Sequence, residues 1–453
     1  MSQAQTQNQD FTHEKPAEVD DVKKPASSEE TRVDEGSEKT IYANVDSKAD
    51  TSAPTRKQMN RTQLQFTALC WTLFLTGWND GSTGPLLPRI QRVYNVGYFL
   101  VSLVFVLACV GYLLGAVTNV PLSEKYGMGK ALIIGSLCQV VAYSIQSPGL
   151  PFPVYLICFA LNSFGIAIQD SQAIGYVASI KDRAETRMGI LAAGYGLGAL
   201  LAPIVATQFA QARHWSFHYL ISLGIAISNT IFLITVFRFK TYNECLIEIG
   251  QPAPERGTSS HSALRQILSQ KTVHLLAFFT LIYIGVEVTI GGWIVTFIIR
   301  ARGGGATSGY ISTGFFGGLM LGRVALLWVN KKVGEHRVLF IYAILAIGLE
   351  FVVWFVPSVV GDAVAVSLVG IALGPMYPIT MNRAGHVIPQ WMLTGSVGWI
   401  AGFGQAGSAV LPFMTGALSS RFGIKSLQPL LVAMMSVMTV MWAFVPTSAR
   451  RAD

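Results

Sequence analysis

Residues 111–130 read GYLLGAVTNVPLSEKYGMGK, and residues 317–337 read GGLMLGRVALLWVNKKVGEHR. At a fixed separation of 207 positions, Gly111 matches Gly318, Gly115 matches Gly322 and Lys125 matches Lys332; Gly127 matches Gly334 and Lys130 matches Arg337. The same separation pairs Asp80 with Glu287 and Gly84 with Gly291. A separation of 209 pairs Gly189, Gly198 and Pro203 with Gly398, Gly407 and Pro412. Apolar composition can align glycines by chance. It less readily aligns a basic loop and an intramembrane acid in one register. Duplicated halves of this kind enclose a cavity at their interface, near the bilayer midplane.

The rest of the chain fits that duplication. Its 453 residues are 51% hydrophobic and 13% charged, with a mean hydropathy of +0.46, whereas soluble domains run near ~25% charged. Twelve apolar segments, each long enough for about 20 helical residues, are expected near 63–87, 97–120, 130–147, 153–178, 188–209, 217–238, 273–299, 309–329, 337–356, 361–381, 393–417 and 426–446. This predicts an all-α polytopic membrane protein with halves over 61–238 and 273–446, a polar linker over 239–272 and a short tail over 447–453.

Residues 1–60 are polar and almost free of large apolar side chains, the composition of a disordered tail. Residues 1–50 hold 12 of the 25 acidic and 6 of the 33 basic residues, a net of −6, which leaves +14 for the rest of a chain whose formal charge is +8. Those basic residues cluster in short loops. With the N-terminus in the cytoplasm, 19 Lys and Arg fall on the cytoplasmic side and 7 on the other, so the positive-inside rule places both termini in the cytoplasm. Basic charge distributed in this way reads as membrane topology and not as nucleic-acid binding. The plasma membrane is the expected location.

Four of the five cysteines lie in apolar runs and show no paired spacing, so buried free thiols are expected. No Walker motif, metal-ligand cluster or Ser-His-Asp set is found, and no cofactor or enzymatic activity is expected.

Over residues 62–446 the chain resembles the major facilitator superfamily. The loop Glu124-Lys125…Gly127…Lys130 is similar to the family's loop between its second and third helices, with Val120 where glycine is usual. The acids of the first and fourth segments and the run Gly374-Pro-Met-Tyr-Pro378 look like the fucose-permease-like branch. The stretch GWNDGSTGPLLPRIQ (77–91) is similar to fungal members of the "bypass of stop codon" type. The resemblance implies twelve helices, with the first, fourth, seventh and tenth lining the cavity. It further implies a secondary transporter moving a small solute by alternating access, acting as a monomer. For the fucose-permease-like branch it implies a substrate-coupled acid in the first helix and a proton acceptor in the fourth.

The residues themselves point the same way. Thr76, Asp80 and Thr83 lie at i, i+4 and i+7, a polar stripe bordered by Asn79. An aspartate at the centre of a spanning helix costs about 2.5–3.5 kcal/mol on translocon scales, so its presence marks packing against polar neighbours or a wet cavity. Asp170 and Asp80 are the candidate proton-coupling groups, because a neutral acid crosses a dry intermediate that an ionised one does not. Asn79, Asp80, Asn162, Gln169, Tyr195, Tyr283, Glu287, Trp293, Tyr377, Trp399 and Gln405 are the candidate solute contacts, since aromatic faces with amide donors suit a sugar-like or other moderately polar ring. Glu124, Lys125, Gly127, Lys130, Arg323, Lys332, Gly334 and Arg337 are the candidate cytoplasmic gate, with Arg323 expected to snorkel toward the basic loop or clamp it. Sugar-like uptake and export of a metabolite both fit. A non-transporting solute sensor or partner-binding protein of the same fold is the alternative.

Overall fold

The computed structural model describes residues 55–180, 183–251 and 268–446, all within one compact unit, Pro54–Asp453. The tail expected over 1–60 lies outside the described residues except for its last six, and the tail over 447–453 lies outside them altogether. Residues 56–60 are helical. The first helix, α1 (Arg56–Tyr94), starts early because Thr55 and Gln58 form a capping box that satisfies backbone donors at the helix start.

The first half continues with α2 (Tyr98–Tyr126), α3 (Met128–Gln146), α4 (Phe152–Ser179), α5 (Ala184–Gln211) and α6 (His218–Phe237). A seven-residue helix, α7 (Tyr242–Glu248), occupies the start of the linker. The second half holds α8 (Lys271–Ala301), α9 (Tyr310–Ala325), α10 (Leu327–Val333), α11 (Glu335–Phe355), α12 (Val359–Leu373), α13 (Met376–Val387), α14 (Gln390–Phe422) and α15 (Leu427–Ala443). Among the described residues no strand occurs. Among the described residues, nine helices are long and apolar enough to cross a membrane, ten if the pair α9–α10, bent by 51°, counts as one span. α12 and α13 form one of these spans, interrupted at Gly374-Pro375. The helices α1 and α14, of 39 and 33 residues, also exceed the length that a span of this multi-pass membrane protein needs.

The two halves pack alike. The most extensive helix pairs are α1 with α5 and α8 with α14, followed by α2 with α4, and by α9 with α12 in the other half. The repeated glycines explain this likeness. A Cβ on Gly111 would overlap the Ala160 carbonyl, and one on Gly318 the Ser367 carbonyl. Gly198 abuts the Phe74 carbonyl as Gly407 abuts that of Leu281, and Phe74 and Leu281 are themselves 207 apart. Small residues at these crossings let helix backbones approach closely where no hydrophobic effect drives association. Gly127 (φ 83°) and Gly334 (φ 91°) turn the chain at equivalent places, in a backbone region that disfavours other residues.

The halves meet through matching contacts. Gly84 of α1 and Gly291 of α8, partners in the repeat, abut each other so closely that a Cβ on Gly84 would overlap the Gly291 carbonyl. Equivalent residues touching in this way lie on the pseudo-two-fold axis. Beside them, Gly416 packs on Ser102 and Gly309 on Thr207. These contacts all lie toward the face opposite the chain termini. Toward the terminal face the picture reverses: a Cβ on Gly175, Gly189, Gly385, Gly398 or Gly402 would meet nothing within 4 Å.

Candidate functional site

A cavity of about 800 Å³ lies between the halves, lined from α1, α2, α4, α5, α8, α9, α13 and α14. The polar stripe on α1 faces it: Thr76, Asn79, Asp80 and Thr83 all contribute to the lining. The helical period that aligned them in the sequence is what delivers them to one wall.

Asp80 projects into the lumen and accepts two hydrogen bonds from neutral donors. Tyr195 Oη donates to its Oδ2 at 2.9 Å, and Asn79 Nδ2 donates to its Oδ1 at 3.2 Å. Asn79 is held in turn by Asn162 Nδ2 (2.6 Å) and Tyr143 Oη (3.3 Å). One helical turn away, Thr76 Oγ1 donates to Asp170 Oδ1 at 3.0 Å. Asp170 is 8% exposed and lines the same cavity from α4. Neither carboxylate is paired with a cation among the described residues.

The second half places an acid and a base opposite. Glu287 of α8 is 9% exposed and lies 3.6 Å from Arg323 Nη2 of α9. That separation is longer than a hydrogen bond, so the ion pair is loose. The Arg323 guanidinium carbon stands 6.0 Å from the Tyr195 ring centroid, a cation–π contact that crosses between the halves. Its Nε is buried without a hydrogen-bond partner. Arg323 therefore belongs to the cavity and not to the gate loops. The segment expected over 309–329 ends as a helix at Ala325, and the chain bends by 51° there.

The break in the tenth span also shapes the site. Tyr377 lies two residues after Pro375 and lines the cavity. It stacks on Tyr283 at 6.4 Å between ring centroids, while Tyr283 Oη donates to the Leu373 carbonyl at the end of α12 (3.2 Å). Gln405 contributes from α14.

Four expected solute contacts lie elsewhere. Asn162 is 1% exposed and stands behind Asn79, which it orients. Gln169 is fully buried and donates to the Leu132 carbonyl (3.1 Å), away from the lumen. Trp293 is fully buried, and its Nε1 donates to the Pro412 carbonyl (3.0 Å). Trp399 packs on Phe403 and His274. Tyr112 lines the cavity and escaped the sequence reading. The signal was present: Val104, Ala108 and Tyr112 recur at i, i+4 and i+8, beside the glycine face that packs on α4. Of the expected gate residues, Gly127 and Gly334 form the turns. Glu124, Lys125, Lys130, Lys332 and Arg337 are exposed and make no ion pair among the described residues; Lys125 and Lys332 lie over the rings of Tyr126 and Trp328.

A duplicated bundle with charged groups facing an internal cavity defines a membrane carrier for small solutes. The sequence pattern of the Major Facilitator Superfamily matches residues 69–412, and the chain belongs to that family of secondary transporters. "Bypass of stop codon protein 6" of Saccharomyces cerevisiae is 25% identical over 404 residues, covering 83% of this chain and 81% of the yeast protein. The glucose/mannose transporter GlcP of Bacillus subtilis is 21% identical, covering 76% of this chain and 85% of its own length. Among solved structures, a D-xylose-proton symporter superposes with a TM-score of 0.70 at 12% identity, covering 85% of this chain and 98% of that one. FucP in its outward conformation gives 0.59 at 15% identity, covering 84% and 99%.

Proposed function

We propose that the chain couples movement of a small organic solute to movement of protons, by alternating access to the cavity between its halves. The observation that carries this reading is the placement of Asp80 and Asp170. Two carboxylates from facing helices share one cavity, one turn apart, and each is held by neutral donors alone. A carboxylate without a resident cation can exchange a proton with water that enters the cavity, and it sheds its charge to pass through a closed state. The membrane potential adds about 2.3 kcal/mol per charge per 100 mV to such a step. Asp170, more enclosed than Asp80, is the principal proton carrier. Asp80 joins proton and solute, with Asn79, Tyr195, Tyr283, Glu287, Tyr377 and Gln405 around the solute. The 19-to-7 division of Lys and Arg supports cytoplasmic termini, in a monomer at the plasma membrane.

The test is internal pH in proteoliposomes challenged with a panel of sugars, organic acids and organic amines. Solute-dependent proton flux is expected in the wild type, with a loss of about tenfold or more in Asp170→Asn. Transport of a solute with no accompanying proton movement would remove the coupling. Absence of any solute movement under every imposed gradient would remove the transport reading itself.

A further inference from the structure

We propose that the cavity is built for an amphipathic organic cation, with Asp80 and Asp170 as its counter-charges, and not for a hexose. This rests on the transport reading above and assigns the substrate class of the same site.

Charge is the first argument. The charged groups facing the lumen are Asp80 from α1, Asp170 from α4, Glu287 from α8 and Arg323 from α9, three acids against one base. Arg323 stands against Glu287. Two acids are left whose partners are an amide and two hydroxyls. An ion taken out of bulk water is stabilised by an opposite charge with good geometry, and a solute bearing a positive centre is what the cavity lacks.

The walls supply the second argument. Val104, Phe105, Phe159, Ile166, Phe316 and Met381 form much of the remaining lining. A hexose carries hydroxyls nearly all round its ring and would leave several of them against these side chains without partners, a loss that buried polar groups do not tolerate. Of the four candidate amides, Asn162 and Gln169 are turned away and Asn79 is already engaged, which leaves Gln405 alone for a ring of hydroxyls. A volume of about 800 Å³ instead lies in the range of pockets that enclose drug-sized, largely apolar ligands.

The aromatic groups give the third. Tyr112, Tyr195, Tyr283 and Tyr377 surround the acids, and the guanidinium of Arg323 already lies against the Tyr195 ring. The site thus holds a cation on an aromatic face, the interaction that organic ammonium and phosphonium centres use. Because the cation needs an ionised carboxylate, its binding expels a proton from the same group. The other titratable groups near these acids are the four tyrosines of the lining, Tyr143 behind Asn79, and Cys109 of α2.

The experiment uses the purified full chain in nanodiscs of neutral lipid, with radiolabelled tetraphenylphosphonium and D-glucose as probes. Saturable tetraphenylphosphonium binding is expected at about pH 8, weakening as acid protonates the carboxylates. Affinity should fall about tenfold in Asp80→Asn and in Asp170→Asn. Arg323→Gln removes the lone base and should tighten binding several-fold, a gain that a misfolded variant does not produce. Binding unaffected by either aspartate substitution reports partition into lipid and overturns the proposal. So does saturable glucose binding without tetraphenylphosphonium binding. If glucose drives proton flux in the liposome panel while tetraphenylphosphonium does not bind, the cation assignment fails and the transport reading stands. If no solute of any class moves, both fail.

Discussion

Gly198 sits where α5 crosses α1, and a Cβ on it would overlap the Phe74 carbonyl and lie 2.8 Å from the Trp78 nitrogen. Gly224, inside α6, faces open space. The two residues should respond to alanine with opposite signs. Gly224→Ala gains helix propensity and should stabilise by about 0.5–1 kcal/mol; Gly198→Ala must push two backbones apart and should cost about 1–3 kcal/mol. Thermal unfolding midpoints of both variants in one detergent check the signs. The same contrast explains which residues of the site the sequence disclosed. Asp80, Asp170 and Glu287 stand out because a carboxylate in an apolar helix is expensive and needs a reason. Tyr112 does not, since a tyrosine costs little anywhere in a spanning helix. Trp293 and Gln169 misled for a related cause: polar atoms in a spanning helix can be satisfied by a neighbouring carbonyl as well as by a solute, and helical spacing does not say which.

At the scale of elements, the linker shows how a polar composition can hide a docked helix. Thr241 and Glu244 form a capping box that starts α7; the pattern of a threonine followed three residues later by glutamate is legible in the sequence. What composition did not show is the docking. Cys245 and Leu246 are fully buried against the first half, and Glu248 joins Arg61 (3.0 Å) and Lys240 (3.2 Å). Burial works to raise the Glu248 carboxyl, but hydrogen bonds and charge from Lys240 and Arg61 prevail and hold it below its ordinary range. A group depressed in the folded state contributes stability above its unfolded value, about 4.3 for glutamate. That contribution is lost as pH falls through the lower folded value. Glu248→Gln should therefore loosen α7 by about 1 kcal/mol or less, with the difference from wild type vanishing in acid. Cys245 provides the readout, because burial pushes its thiol up to about 12 and shields it from reagents. N-ethylmaleimide should label Cys245 several-fold faster in Glu248→Gln than in wild type at neutral pH. Equal rates would show that α7 is held by its apolar face alone. The two helix breaks differ in the same respect: Pro375 announces one of them, whereas no proline marks the bend after Ala325.

For the whole molecule, the repeat disclosed the architecture because duplication constrains both halves to one packing scheme, and Gly111 with Gly318, Gly115 with Gly322 and Gly198 with Gly407 are crossings of that scheme. It did not disclose the conformation, since the contacts between halves are not part of either repeat unit. They lie toward the face opposite the termini, where Gly84 meets Gly291, Ser102 meets Gly416 and Thr207 meets Gly309, while Gly175, Gly189, Gly385, Gly398 and Gly402, toward the terminal face, have nothing within 4 Å. Alternating access requires the first set to part. A Cβ built on Gly309 lies 2.9 Å from that of Thr207, short of the ~3.5–4.5 Å of a disulfide, so a small backbone adjustment joins cysteines placed there. In a chain whose own five cysteines are serine, Thr207→Cys with Gly309→Cys should oxidise readily to a cross-link. Thr83→Cys, on the cavity wall, then reports opening. An impermeant maleimide added from the face opposite the termini should label it slowly in the reduced protein, through transient opening. Labelling should stop in the cross-linked protein and resume on reduction. Labelling that continues unchanged after cross-linking would mean that the α5–α9 contact stays closed while the cavity empties, and that the halves do not move as the two rigid bodies their shared packing suggests.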